Sequence, residues 1–168
     1  MELTMQFAAR VILLGTLATV VMDLWLLLLK RLKVPTLDMA LLGRWFGHLL
    51  QGRLTRGPIA AAAPVRGERG IGWAAHYGVG IAFAALFVAL FGGFTGAAWT
   101  RQPTFLSALL FGIATVAAPL FIMQPAMGAG IASSRTRTPV RNVAKSVVNH
   151  AVFGGGLFLS ALLVQQIL

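Results

Sequence analysis

Four apolar stretches, each long enough to cross a bilayer, constrain this chain more than any other feature. A hydrocarbon core of roughly 30 Å takes about 20 apolar residues per helix. The stretches run from about Phe7 to Leu29, Ile71 to Phe94, Pro103 to Met127 and Val143 to Leu168. The 168 residues are 58% hydrophobic and 11% charged, whereas soluble domains carry roughly 25% charged residues. Such a chain cannot cover its apolar surface as one small globule in water. The expected fold is all-α: a single integral membrane domain, an antiparallel bundle of four transmembrane helices.

A net charge of +10 could suggest a nucleic-acid partner. The distribution argues against one, because the basic residues fall in short loops between the apolar stretches. Lys30, Arg31, Lys33, Arg44, Arg53, Arg56, Arg66 and Arg69 lie between the first two stretches. Arg135, Arg137 and Arg141 precede the fourth, with Lys145 just inside it. Only Arg10 and Arg101 fall towards the other side. Positive loops stay in the cytoplasm, so both termini are expected outside. Trp99, in the short connection between the second and third stretches, fits an interfacial anchor. The N-terminus lacks a charged n-region and a cleavage site, so the first stretch reads as a signal anchor. There is no cysteine, which excludes disulfides, thiolate metal sites and cysteine nucleophiles.

From Thr36 to Leu50, Met39, Leu42, Trp45, Phe46, Leu49 and Leu50 recur at helical spacing. Asp38 sits in the first turn. The segment reads as an amphipathic helix in the cytoplasmic interface, with a helix docked on the bundle as the alternative. His48, between its apolar positions, reads as a surface residue. From Gly52 to Gly70 the chain is rich in Gly, Pro, Ala and Arg and reads as a loop.

The few polar groups within the apolar stretches fall near one end of each. At 1.5 Å per residue, Asp23 lies roughly 9 Å from the cytoplasmic end of its helix and His76 roughly 8 Å from its own. Gln124 is about one turn from its end and His150 about two turns. An antiparallel crossing brings all four towards one layer. Thr16, Thr19 and Asp23 share a face. Gly72, His76, Gly80 and Ala84 form a row of small residues around the imidazole, which lets helices approach closely. Asn142, Ser146, Asn149 and His150 form a polar stripe followed by Gly154, Gly155 and Gly156. Pro119 and Pro125 each remove a backbone donor. The stretch from Gln124 to Gly130 therefore reads as irregular, offering carbonyls, the Gln124 amide and the Met127 thioether.

Ionisable groups inside a bilayer are costly and usually functional. Asp23, His76, Gln124, His150, Asn149, Thr19 and Met127 are the candidate site for a small solute, an ion or a proton. Asp23 would be the charge-switching group, and His76 and His150 its partners. The competing reading pairs Asp23 with Lys145 or Arg141 at the interface. His76, His150 and Asp23 also form a possible ligand set for one divalent metal, and the two histidines could hold haem. That would make the protein a membrane redox protein or enzyme. A third reading is a structural subunit whose polar layer locks the bundle. Arg135, Arg137 and Arg141, among Ser and Thr before a helix N-terminus, could take a phosphate or an anionic lipid headgroup. Orientation charge alone would also explain them. No nucleotide loop, hydrolase elbow or carboxylate pair for glycoside chemistry is present. Four helices enclose little space, so transport would call for a homodimer through the glycine-rich faces, or a place in a larger membrane complex.

Four segments carry a resemblance: residues 15–23 (GTLATVVMD), 72–77 (GWAAHY), 124–128 (QPAMG) and 149–154 (NHAVFG). In this order they are similar to bacterial inner-membrane proteins of domain-of-unknown-function family 2938. The resemblance covers nearly the whole chain. It implies a bacterial inner-membrane protein of four helices and brings no established activity.

Overall fold

The computed structural model describes residues 2–53, 57–91 and 102–167, with side chains from residue 5 onward. Arg56, Trp99, Arg101 and the second stretch beyond Phe91 lie outside the described residues. Every regular element among the described residues is helical. The long ones are α1 (Glu2–Arg31), α2 (Met39–Leu50), α3 (Glu68–Phe91), α4 (Phe105–Ala114) and α5 (Pro139–Ile167). Four segments are long and apolar enough to cross a membrane: Met5–Arg31, Glu68–Phe91, Phe105–Ala126 and Pro139–Ile167. Their outer faces are apolar too. Leu24, Leu90, Leu106 and Leu163 are each more than half exposed, on a scale that marks a lipid- or protein-contacting surface.

The core lies where α1, α3, α4 and α5 meet, around Leu14, Ala18, Phe87, Val88, Phe111 and Leu157. Along α1 and α3 the contacts pair rising with falling numbers: Gly15 with Ile81, Thr19 with Gly80, Asp23 with His76. Gly112 and Gly154 bring α4 and α5 together backbone to backbone. Small residues let polar backbones touch, and dispersion between the touching surfaces holds them. Several glycines of the expected dimer faces therefore pack within the chain itself.

α1 ends in a Schellman motif. The N–H of Val34 donates to the Leu29 carbonyl at 2.9 Å and that of Lys33 to Lys30 at 3.1 Å. Lys33 takes the left-handed position, φ 58°, where glycine is the usual occupant. α2 then begins at Met39, later than the Thr36 the spacing suggests, because Asp38 is its N-cap. The Asp38 Oδ1 accepts the Ala40 N–H at 2.9 Å, and a capping residue stands outside the helix.

α2 packs along α3, and Gly43 and Gly72 leave no room for a Cβ between them. A clasp fixes the segment that follows. Arg44 donates from Nε and Nη2 to the two Glu68 oxygens at 2.8 and 2.9 Å, and from Nη1 to the Ala60 and Ala62 carbonyls. The forked bond to Glu68 raises the Arg44 pKa above its ordinary value, so the guanidinium stays charged. His48 corrects the surface reading: it is 8% exposed, and its Nε2 meets the Ala63 carbonyl at 2.9 Å. Residues 57–65 fold back over α2 and cover it, which helical spacing cannot reveal.

The third span changes pitch after α4. The N–H groups of Val116 and Ala118 reach back three residues, to Ile113 and Thr115. From Pro119 to Met123 the backbone is π-helical, and the Gln124 N–H reaches the Pro119 carbonyl five residues back. Prolines that cannot donate displace the ladder, and the wide turn absorbs the slip. Gly128 and Gly130, at φ 86° and 77°, then turn the chain towards α5.

Candidate functional site

Asp23 enters from α1, and His76 and Tyr77 from consecutive positions of α3. The Nε2 of His76 lies 2.8 Å from Asp23 Oδ1. The Tyr77 hydroxyl donates to Asp23 Oδ2 at 2.8 Å. Both carboxylate oxygens thus accept a hydrogen bond, with the Asp23 and His76 side chains 18% and 11% exposed. A partly buried carboxylate is tolerable only with such partners. Donation from Nε2 fixes the His76 tautomer and leaves Nδ1 as the acceptor nitrogen. Trp73, one turn before Tyr77, sets its ring edge-on to His76 with centroids 5.9 Å apart. The competing partner is engaged elsewhere: Lys145 donates to the Pro35 carbonyl at 3.3 Å.

The Asp23–His76 bond stands between two hollows. Asp23 lines an open groove of about 580 Å³ at the end of α1, together with Lys30, Lys33, Asp38, Arg69 and Trp73. His76 lines a more apolar cavity of about 270 Å³. Trp45, Phe46, Phe83, Met22 and Met123 wall that cavity, and Thr19, Ser146, Asn149 and His150 add polar atoms. Sparse polar groups in an apolar hollow are the usual make-up of a small-molecule site.

His150 is oriented from α4. Its Nδ1 lies 2.7 Å from Thr115 Oγ1. The single Thr115 proton goes to the Gly112 carbonyl at 2.6 Å. His150 Nδ1–H is therefore the donor, and Nε2 keeps its lone pair. Asn149 accepts the Trp25 indole N–H at 2.9 Å, joining α5 to α1. Thr19, 1% exposed, donates to the Gly15 carbonyl and packs on Gly80.

The expected layer thus divides. Asp23 and His76 meet directly, and Thr19, Asn149 and His150 share the cavity with His76. Gln124 and Met127 stand apart from both hollows. Gln124 accepts from Ser133 at 2.9 Å and reaches Ser146 at 3.4 Å. Met127 uses its carbonyl to hold the Ile59 N–H. The π turn rotates both away, and Met123 faces the cavity instead. Arg135, Arg137 and Arg141 are exposed. The hydroxyls near them are spent inside the loop, Ser133 on Gln124 and Thr136 on the Ser133 carbonyl. Among the described residues no three His, Cys, Asp or Glu side chains gather around one point.

Sequence reasoning missed Tyr77, Thr115 and Trp25 as site residues. Tyr77 had a usable signal, since it is the one tyrosine in the chain and adjoins His76. Thr115 had little, because a hydroxyl in an apolar helix usually bonds its own backbone.

Fold and site together define a helical protein of four potential membrane spans with a carboxylate–imidazole–phenol cluster between two of them. The chain belongs to the family described as Protein of unknown function (DUF2938), which it matches over residues 12–164. No curated protein and no solved structure matches it.

Proposed function

We propose that this chain is a polytopic protein of the bacterial cytoplasmic membrane, an antiparallel four-span bundle with both termini outside. In this reading it binds a small solute in the cavity beside His76 and exchanges a proton through Asp23 and His76. The orientation rests on the two basic loops. The site rests on one observation: the Asp23–His76 hydrogen bond joins a residue of the charged groove to a residue of the apolar cavity. A proton on Asp23 or on His76 changes the charge facing each hollow, and a bilayer magnifies that change.

The test is proton movement in proteoliposomes that contain a trapped pH-sensitive dye. A potassium gradient with valinomycin supplies the driving potential. Wild-type protein should acidify the lumen faster than empty vesicles, and Asp23→Asn should return the rate to background. Equal rates for wild type and empty vesicles would overturn proton translocation.

A further inference from the structure

We infer that the groove at the end of α1 binds the anionic head of a single-chain amphiphile, and that the tail lies in the cavity beside His76. This inference rests on the proposed solute site and names its ligand class.

Charge comes first. Lys30, Lys33 and Arg69 all line the groove. The two acidic residues on it are occupied: Asp23 accepts from His76 and Tyr77, and Asp38 caps α2. The surplus on this wall is cationic, which suits a carboxylate or a phosphate.

Backbone geometry supplies a second argument. Lys33 holds the left-handed position that ends α1, φ 58°. Glycine fills that position without strain, and a lysine does so only against a steric penalty. A lysine there is unhelpful to the helix end and useful only for where it sets an ammonium. The next segment is pinned from α5, through Lys145 on the Pro35 carbonyl, so the groove has a fixed wall.

Continuity supplies the third. Leu26, Leu37 and Met39 line both hollows. A ligand with its head among the lysines has an apolar path along these three side chains. The path leads to the aromatic cavity, where Ser146, Asn149 and the His150 Nε2 offer polar contacts. A head without a tail would leave this apolar wall unused, and a tail without charge would leave the lysines unused.

The experiment titrates the full chain, in nanodiscs of phosphatidylcholine, with three brominated probes that quench tryptophan. These are dibromostearate, its lysophosphatidylglycerol ester and its zwitterionic lysophosphatidylcholine ester. Both anionic probes should quench at about tenfold lower concentration than the zwitterion, from roughly 1 kcal/mol per nearby cation. Lys30→Gln/Lys33→Gln should erase that preference. Arg53→Gln/Arg66→Gln, which removes equal charge outside the groove, should keep it. Equal quenching by all three probes, or a preference that survives loss of both lysines, would overturn the inference. Displacement of the anionic ester by inorganic phosphate would assign the groove to free phosphate and overturn the amphiphile. The dye assay on the same preparations separates the two proposals. Proton flux without anionic preference sinks only this inference, and preference without flux sinks only proton translocation.

Discussion

His76 on α3 and Asp23 on α1 lie 2.8 Å apart, Nε2 to Oδ1, fifty-three residues apart in sequence. This bond ties two helices together at a point where neither offers another polar group except Tyr77. Its removal should therefore separate structural from functional roles. Asp23→Asn keeps one oxygen acceptor and loses the charge. It should lower stability by about 1–2 kcal/mol, the range for losing a hydrogen bond to a charged group. Thermal unfolding in detergent measures this. A larger collapse, with loss of folded protein, would make Asp23 chiefly a structural lock.

Tyr77→Phe removes a single donor and leaves the ring. One carboxylate oxygen then has no partner in a partly buried setting, which should cost about 1–3 kcal/mol. Combined with His76→Gln, the two losses should not add, because both act through the same carboxylate. A double-mutant cycle by thermal or denaturant unfolding reads this coupling. Strict additivity would show that the two side chains act independently.

Gly80→Ala should destabilise, since the new Cβ would collide with the Thr19 hydroxyl. Overpacking of this kind typically costs about 1–3 kcal/mol. Thr19→Ala alone should be mildly destabilising, yet added to Gly80→Ala it should restore part of the loss. Unfolding midpoints of the three variants decide the matter, and a double variant worse than either single one would refute the packing described.

Thr115→Val keeps the shape of the side chain and removes the acceptor for His150 Nδ1–H. The imidazole is then free to exchange tautomers. Nitrogen-15 chemical shifts of His150 should show one neutral tautomer in the wild type and a mixture in the variant. An unchanged spectrum would mean that another group orients the ring.

The chain holds no cysteine, so single cysteines report topology cleanly. Gln166→Cys should react with an impermeant maleimide on intact cells. Ser134→Cys should react only after the membrane is opened. The reverse pattern would invert the orientation read from the basic loops.

The four apolar spans were legible in the sequence because hydropathy over twenty residues needs no tertiary information. Asp23 and His76 could be brought to one depth by counting rise along each helix, and they do meet. Gln124 and Met127 could not be placed this way. Counting assumes an unbroken α-helix, and the π turn at Pro119–Met123 breaks it just before them. His48 was misread for a different reason. Its cover is the Ala63 carbonyl, from a loop whose return over α2 depends on the forked bond between Arg44 and Glu68. Neither residue announces the other in sequence. Lys33 was legible only as charge, since nothing local marks it for a left-handed backbone.

The wide turn in the third span amounts to one surplus residue in an otherwise regular rod. Each α-helical residue advances the face by about 100°, so everything beyond the turn is dialled round by that angle. The cavity wall consequently receives the soft, pliable Met123 where an uninterrupted rod would bring round an amide. Deleting one residue within Pro119–Met123 would turn that dial back, making the lining more polar without altering the groove. A one-residue change in chain length, and no exchange of side chains, would then retune which molecules the hollow accepts.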